Sequence, residues 1–287
     1  MKTGLVLEGG AMRGMFTAGV LDVFMEQGID FDGLAGVSAG AISGCSFVSH
    51  QIGRTIRYNK KYCMSKDYNG LYSLIRTGDL YGVDFCYRRI PYELDPYDFE
   101  TCNARDMDFY AVCTDLETGL PVYHNCRRNS KEDSMLWIRA SASMPMVSRP
   151  VQIGNQKLLD GGLSDSIPLA FMEKQGFEKN VVILTQPKGF IKGQMELYNL
   201  VKLSLLRYPK FIQTMEARPD MYNQQTAYVQ RRAQEGAAFA IYPPEPLQVG
   251  ATERDSEKLE KVYQIGRKTA EEKVDALKAF LSKDQNL

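Results

Sequence analysis

The sequence contains few of the residues on which metal and redox sites depend. Its 287 residues include only two histidines, His50 and His124, and no histidine pair at metal-ligand spacing. Six cysteines are scattered along the chain without a Cys-x-x-Cys pair. The sequence therefore predicts no metal site and no organic cofactor, and it predicts thiols that stay reduced.

Neither charge sign is in excess, and no long apolar run is present. Lysine and arginine together number 35, as do aspartate and glutamate, so no overall field favours a nucleic-acid partner. No segment approaches the roughly 18 apolar residues of a membrane span. Glu8 interrupts the short apolar segment at the N-terminus, which argues against a signal peptide. We expect a cytoplasmic globular protein, and its oligomeric state is left open.

Short β-rich runs alternate with helical patterns over the first 190 residues, which predicts a mostly parallel sheet covered by helices, an α/β class. From about residue 190 the pattern becomes helical, ending in one long amphipathic helix over Glu257–Leu281. We predict a single domain over 1–287, with a catalytic core over about 1–187 and a helical extension over about 188–287. A domain boundary near residue 190 is the alternative.

The segment Gly36–Gly40 reads Gly-Val-Ser-Ala-Gly and lies between a predicted strand and a predicted helix. This is the context of a nucleophile elbow, in which Ser38 sits on a sharp turn and the flanking glycines let neighbouring backbones pass closely. The helix that starts at Ala39 favours a developing anion near its N-terminus. A tight turn of small residues without catalysis is the alternative.

The segment Glu8–Gly14 reads Glu-Gly-Gly-Ala-Met-Arg-Gly and also joins a strand to a helix. A Walker A loop is excluded because no Gly-Lys-Ser/Thr follows, and the glycine spacing does not fit the dinucleotide fingerprint. An oxyanion hole fits best, since a serine elbow needs backbone donors aimed at the reacting carbonyl oxygen. A sharp strand-to-helix turn is the alternative.

The segment Asp160–Gly162 reads Asp-Gly-Gly at the end of a predicted hairpin. Taken alone, such a pair is most often a turn. However, His50 follows Ser38 too closely and His124 precedes Asp160, so the order serine, acid, histidine is not available. A serine activated directly by a carboxylate is therefore the leading hypothesis, with Asp115 as the reserve acid.

Taken together in this order, the three motifs resemble the patatin-like phospholipases over roughly residues 3–187. The segments Thr114–Gly119 and Ala140–Pro145 are similar to family segments that line the pocket. The resemblance implies a three-layer α/β/α fold with Ser38 as nucleophile and Asp160 as base. It also implies an oxyanion hole formed by Gly9, Gly10, Ala11 and Ala39. The residues expected to support the site are Arg13, Gly14, Gly36, Gly40, Gly161 and Gly162. Ala11 departs from the family pattern, which usually has a third glycine there.

The resemblance implies a serine hydrolase that cleaves acyl esters of lipids, as a phospholipase A, a lysophospholipase or an esterase. An aspartate near its ordinary pKa of about 3.9 is a weak base at neutral pH. Burial of Asp160 must therefore raise that pKa if the carboxylate is to accept the serine proton. An acyltransferase that uses the same acyl-enzyme, a catalytically weak lipid-binding regulatory protein and a nucleotide-binding protein are the alternatives.

Two weaker features complete the sequence-based expectations. Arg13 either supports the glycine loop or meets a lipid phosphate. The segment 188–218 combines lysines and arginines with leucine, tyrosine and phenylalanine, which is typical of a core-packed helix pair and also of a surface that makes transient contact with a membrane.

Overall fold

A mixed eight-stranded sheet forms the centre of the molecule. The computed structural model describes residues 1–127, 129–195 and 198–282. Within them the strand order is β5-β6-β3-β2-β1-β7-β8, with β4 paired to β3. The pairs among β1, β2, β3, β7 and β8 are parallel, whereas β4, β5 and β6 pair in antiparallel fashion. The predicted α/β class with a mostly parallel sheet is thus confirmed. The strands are β1 (Lys2–Leu7), β2 (Gly33–Val37), β3 (Asp108–Asp115), β4 (Pro121–Asn125), β5 (Val151–Ile153), β6 (Gln156–Asp160), β7 (Phe177–Ile183) and β8 (Ala238–Ile241).

Helices cover both faces of this sheet because its central strands are apolar on both sides. Along β1, Leu5 and Leu7 belong to one buried cluster, and Val6, which points the opposite way, belongs to another. The first cluster includes side chains of α1, α2 and α10, and the second those of α7 and α9. The helices are α1 (Gly14–Glu26), α2 (Ala39–Val48), α3 (Arg54–Tyr62), α4 (Leu71–Thr77), α5 (Phe99–Ala104), α6 (Lys131–Ser141), α7 (Leu169–Lys174), α8 (Tyr198–Ser204), α9 (Pro209–Gln234), α10 (Ser256–Glu271) and α11 (Val274–Ser282).

The ladder along β3 brings two distant parts of the chain together. Residues 110–112 pair with β2 on one side and with β4 on the other. Beyond Val112, β2 has ended but β4 still pairs with Cys113 and Thr114. The strand β6, which pairs with those same two residues, must therefore occupy the side that β2 has left. Val37 faces Val112 and Asp160 faces Cys113, so the end of β6 abuts the end of β2.

The C-terminal helices pack on the sheet-covering layer rather than apart from it. The helix α10 crosses α1 so closely that a Cβ on Gly19 would lie 2.1 Å from the Tyr263 carbonyl oxygen, and one on Gly266 would lie 2.1 Å from that of Phe16. The division of the chain into a core and an extension stays a prediction.

The prediction of a single long helix over Glu257–Leu281 is wrong in one respect, because two helices, α10 and α11, occupy that range. Between them the Lys273 amide donates to the Ala270 carbonyl, which tightens the turn. Glu272 and Lys273, which lie between the two helices, are charged and add no apolar side chain to the core. After this break, Val274 and Leu277 of α11 belong to the buried cluster.

Candidate active site

Ser38 lies on a strained elbow between β2 and α2. Its φ of 55° and ψ of −121° are rarely adopted by a residue with a side chain, and such conformations cluster at functional sites. A Cβ on Gly40 would lie 2.4 Å from the Leu7 carbonyl oxygen, so only glycine lets the first turn of α2 pass this close to β1. The elbow therefore depends on the glycine that follows the serine by two positions.

Ser141 ties the elbow to the neighbouring strand. The Ser38 amide donates to the Ser141 hydroxyl at 2.9 Å, and that hydroxyl donates to the Val112 carbonyl at 2.7 Å. Ser141 is fully buried at the end of α6. It lies in the segment Ala140–Pro145, for which the sequence predicted a pocket-lining role without singling out this contact.

The glycine loop after β1 offers free backbone donors beside Ser38. In the part of the chain that the structure describes, the amides of Gly9, Gly10, Ala11 and Ala39 donate to no protein acceptor. A Cβ on Gly9 would lie 2.9 Å from the Ser38 Cβ, so the loop touches the elbow directly. The Thr185 hydroxyl holds the loop by donating to the Gly9 carbonyl at 2.9 Å.

Ala11 has a φ of 49°, in the left-handed region where glycine is favoured. The alanine at the position of the family's third glycine is therefore accommodated under backbone strain, which is what its methyl group predicts.

Asp160 ends β6 and is fully buried. Its Oδ1 accepts the Gly162 amide at 2.8 Å, and its own amide donates to the Ser143 carbonyl at 2.8 Å. Burial raises the pKa of Asp160, although the Ser38 hydroxyl, the Gly162 amide and the Arg218 guanidinium each act to lower it. The Oδ2 atom has no partner at normal hydrogen-bond geometry among the described residues, so the Ser38 interaction is a loose one. Such contacts are often long before substrate binds.

Arg218 is a site residue that the sequence did not identify. It reaches from α9 and donates through Nε to the Gly162 carbonyl at 2.7 Å, next to the Asp160 carboxyl. Nothing in its helical context marks it out, because the relevant signal is the three-dimensional position of α9 over the Asp-Gly-Gly turn. Its charge acts on Asp160.

Beneath the loop, the buried Glu8 carboxylate is bound by neutral donors. The Thr185 amide donates to it at 2.7 Å and the Tyr222 hydroxyl at 2.8 Å. Burial raises the pKa of Glu8, and Arg13 and Lys192 oppose that rise. The predicted Arg13 thus lies near Glu8, and its Nε is buried without a partner among the described residues. Burial, together with the nearby Arg218 charge, lowers the pKa of Lys192 to about 8.

The remaining glycines of the predicted set lie at close contacts in the same region. The backbone of Gly36 packs on Ala41, that of Gly14 on the Ala39 side chain, and that of Gly161 on the Val112 carbonyl. Gly162 supplies the amide that binds Asp160 and the carbonyl that binds Arg218.

Neither histidine contacts the elbow in the described structure. His50 follows the far end of α2, a helix of ten residues that spans about 15 Å, and it is exposed. His124 stacks on Trp137 at 3.9 Å and contacts Asn129 through Nε2 at 2.6 Å. The reserve acid Asp115 binds the amides of Glu117 and Thr118 in a turn. The structure therefore brings Asp160, and neither imidazole, to Ser38.

A mostly apolar cavity of about 180 Å³ has Ser38 in its lining. Ala11, Met12 and Ala39 line it near the elbow, and aromatic side chains from residues 58–97 line much of the remainder. Its apolar lining suits an alkyl chain.

The described residues contain neither a metal-binding cluster nor a helix able to span a membrane. No group of three or more histidine, cysteine, aspartate or glutamate side chains is arranged to hold a metal ion in residues 1–127, 129–195 and 198–282. Over the same ranges, none of the helices combines the length and apolar character needed to cross a membrane.

Known families and proteins are similar to this chain over most of its length. A family model described as patatin-like phospholipase matches residues 5–172, and one described as a domain of unknown function (DUF6363) matches residues 208–282. The uncharacterized protein YjjU of Escherichia coli is 28% identical over 273 residues, which cover 93% of this chain and 75% of that protein. The crystal structure of VipD from Legionella pneumophila aligns with 96% of this chain and 67% of its own, with a TM-score of 0.47 and 13% identity.

Two further relatives are much longer than this chain. An uncharacterized NTE family protein of Mycobacterium bovis is 30% identical over 171 residues, which cover 59% of this chain and 28% of that protein. The lysophospholipase nte1 of Aspergillus terreus is 24% identical over 300 residues, which cover 96% of this chain and 18% of that protein. The matched region is thus under a third of either relative.

Proposed function

The chain belongs to the patatin-like phospholipase family, and from this membership we propose that it is a serine hydrolase that cleaves the acyl ester bonds of lipids. The observation that carries the proposal is the arrangement around the strained elbow. There Ser38 adjoins a buried carboxyl group, four free backbone amides and an apolar cavity. Because a relative is named a lysophospholipase, a lysophospholipid is the first substrate to test.

In the proposed first half-reaction, the Ser38 hydroxyl oxygen attacks the ester carbonyl carbon and its proton passes to the Asp160 carboxylate. The carbonyl electrons move onto oxygen, which gives a tetrahedral oxyanion. When this intermediate collapses, the bond to the alcohol breaks, and Asp160 returns the proton to the departing alkoxide. Ser38 then carries the acyl group.

In the second half-reaction, water attacks the acyl-enzyme and gives a proton to the same carboxylate. Collapse releases the fatty acid, and the proton returns to the Ser38 oxygen. One group thus acts as base and acid in turn, which requires a pKa nearer neutrality than that of a free aspartate. The upward shift that burial causes at Asp160 is in this direction.

The amides of Gly9, Gly10, Ala11 and Ala39 are the proposed donors to the oxyanion. They are suited to this role because they lie around the elbow and donate to no described acceptor. A preorganised amide is worth most where charge develops, and removing one such donor typically costs about 3–4 kcal/mol in activation free energy.

Labelling with a fluorophosphonate tests the nucleophile. We expect wild type to be labelled, Ser38→Ala not to be labelled, and Asp160→Asn to be labelled much more slowly. Ser43→Ala is a matched control, because Ser43 is also a buried serine that lines the cavity. Labelling that survives Ser38→Ala would remove Ser38 as the nucleophile, and labelling kept in Ser43→Ala shows that the loss is specific to Ser38.

Product analysis then separates hydrolysis from acyl transfer. The enzyme is incubated with a lysophospholipid, with and without added acceptor alcohol. Free fatty acid as the main product in both cases supports a hydrolase, whereas a new ester that forms at the expense of the acid supports a transferase.

A further inference from the structure

Part of the wall of the cavity belongs to the segment 64–81, through Tyr68, Leu80 and Tyr81. The Leu80 amide donates to the Val147 carbonyl at 2.7 Å, and the Tyr81 hydroxyl donates to the Ala251 carbonyl at 2.9 Å. Val147 and Ala251 line the cavity as well. The segment 64–81 is therefore fastened to the other wall elements, and its inner side faces the proposed acyl site.

The outer side of this segment is apolar and exposed. Leu71 and Ile75, on α4, are 68% and 77% exposed, and Met64 and Tyr72 are exposed beside them. Met146, next to the lining residue Val147, is also exposed and has a φ of 65°, a region that a residue with a side chain seldom adopts. We call these side chains the wall face: Met64, Leu71, Tyr72, Ile75 and Met146.

The segment that carries the wall face has an excess of positive charge. Residues 60–79 include four lysines or arginines and two aspartates, of which Asp79 is buried. Lys60 pairs with Glu260 and Arg76 with Asp67, which leaves Lys61 and Lys66 as the cations of this segment outside those ion pairs. The Lys66 ammonium lies 4.9 Å from the centre of the Tyr72 ring, and Arg149 is exposed after the Met146 turn. Exposed aliphatic side chains within a basic surround are the composition of proteins that bind at the interface of an anionic bilayer.

We propose that the wall face docks onto an anionic lipid surface, so that an acyl chain passes from the bilayer into the cavity on the other side of the wall. This inference rests on the proposed function, because it takes the cavity to be an acyl site. It commits to a membrane rather than a protein partner on two grounds. The exposed face is the outer side of the acyl cavity, and its surrounding charge complements anionic headgroups.

A second exposed apolar set lies in the segment 188–218, which the sequence marked as a membrane-contact candidate. Leu203 and Leu206 are 64% and 63% exposed there. Among the residues that the structure describes, however, none from 188–218 lines the cavity. This second set therefore serves as the matched comparison for the wall face.

Vesicle sedimentation tests the proposal independently of turnover. The probes are phosphatidylcholine vesicles with and without about 30% phosphatidylglycerol, at low and high salt. In a Ser38→Ala background, we compare the double variant Leu71→Ser/Ile75→Ser with Leu203→Ser/Leu206→Ser. Since burying one aliphatic side chain is worth roughly a decade of affinity, we expect the wall-face pair, which removes two, to weaken binding to anionic vesicles about 10–100-fold. The comparison pair should bind like the parent.

The same pairs, made with Ser38 intact, are assayed on a soluble short-chain ester and on vesicle phospholipid. The proposal predicts that the wall-face pair keeps turnover of the soluble ester and loses turnover of the vesicles. Vesicle binding that is unchanged by the wall-face pair, or lost in the comparison pair instead, overturns it. A concentration-dependent dimer that the wall-face pair abolishes, without any vesicle binding by the parent, also overturns it and assigns the face to a second copy of the chain.

Failure of the proposed function gives a different result. If no ester is hydrolysed but the parent binds anionic vesicles through the wall face, the hydrolase assignment fails and the docking surface stands.

Discussion

Removal of the Ser141 hydroxyl tests whether the elbow is held from outside its own turn. This hydroxyl accepts the Ser38 amide at 2.9 Å and donates to the Val112 carbonyl at 2.7 Å. In Ser141→Ala, one donor and one acceptor lose their partner, a hydroxyl that is fully buried. At about 1–2 kcal/mol for each unsatisfied group, we expect the free energy of unfolding to fall by about 2–4 kcal/mol. For a protein of this size, that lowers the melting temperature by about 5–10 °C.

The effect on activity should exceed that of a general loss of stability. Because the Ser38 backbone is strained, we expect the Ser38 hydroxyl to move away from its attacking position without the Ser141 bond. A displacement of about 1 Å typically costs about a hundredfold in rate. We expect kcat on a soluble ester to fall about 10–100-fold at a temperature where the variant is fully folded.

Ser49→Ala is the control for this prediction, because Ser49 is a buried serine beyond the far end of α2 whose hydroxyl bonds the Cys45 carbonyl at 2.9 Å. It should lose about 1 kcal/mol and keep its kcat. Calorimetry and steady-state kinetics give both numbers. If Ser141→Ala matches Ser49→Ala in kcat, the idea that Ser141 positions the elbow is refuted.

Three further predictions follow from the same site. Arg218→Met removes a cation that lowers the pKa of Asp160, so the acidic limb of the kcat/KM profile should move to higher pH; an unmoved limb contradicts the assignment. Asp160→Asn should abolish turnover and yet stabilise the fold at pH 7. Because burial raises the pKa of Asp160 in the folded state, the charged carboxylate destabilises the fold above that pKa. The stability that Asp160→Asn gains should therefore vanish as the pH falls towards 3.8, which a series of urea titrations measures. Ala11→Gly should relieve the strain of the left-handed φ, while the greater freedom of glycine in the unfolded chain opposes that gain. We expect the free energy of unfolding, measured in urea, to rise by between about 0 and 1 kcal/mol, and a loss above 1 kcal/mol contradicts the strain argument.

The parts of the fold predicted from sequence are those with short-range signals. The strands ending at Leu7, Val37 and Ile183 are apolar runs that break into glycine or a turn, and a parallel, doubly covered sheet follows from them. The hairpin that leads to Asp160 was visible from its Gly-Asn turn.

The region between Arg54 and Ala104 was not assigned, and the physical reason is its mixed pattern. Its helices are short, a π-helix over Phe85–Leu94 contains Pro91, and five of its eight tyrosines line a cavity instead of forming a regular core stripe. Helical periodicity is hard to recognise over helices of six to nine residues. The proposed docking surface on α4 lies in this same region.

At the candidate site, the sequence points to the residues that belong to motifs, and it does not point to those that only a tertiary contact brings in. Motif spacing identifies the glycine loop and the elbow, because each lies at a strand-to-helix turn on the same sheet edge. Arg218 has no comparable signal, and Ser141 is marked only by the resemblance of Ala140–Pro145 to a family segment, without the contact that it makes. Each acts through a backbone group of another element, Ser38 in one case and Gly162 in the other, and those pairings exist only after the helices have packed.

The pairing along β3 explains why a carboxylate can reach Ser38 without an imidazole between them. In a Ser-His-Asp triad, an imidazole lies between the acid and the serine. Here β6 takes the place on β3 that β2 leaves at Val37, so Asp160 begins where the elbow begins and the two turns adjoin. The backbone of Gly161 packs against the Val112 carbonyl, which leaves no room for a larger residue between the strands. The burial that this packing imposes also raises the pKa of Asp160, so the feature that removes the relay supplies the basicity that the proposed direct proton transfer requires.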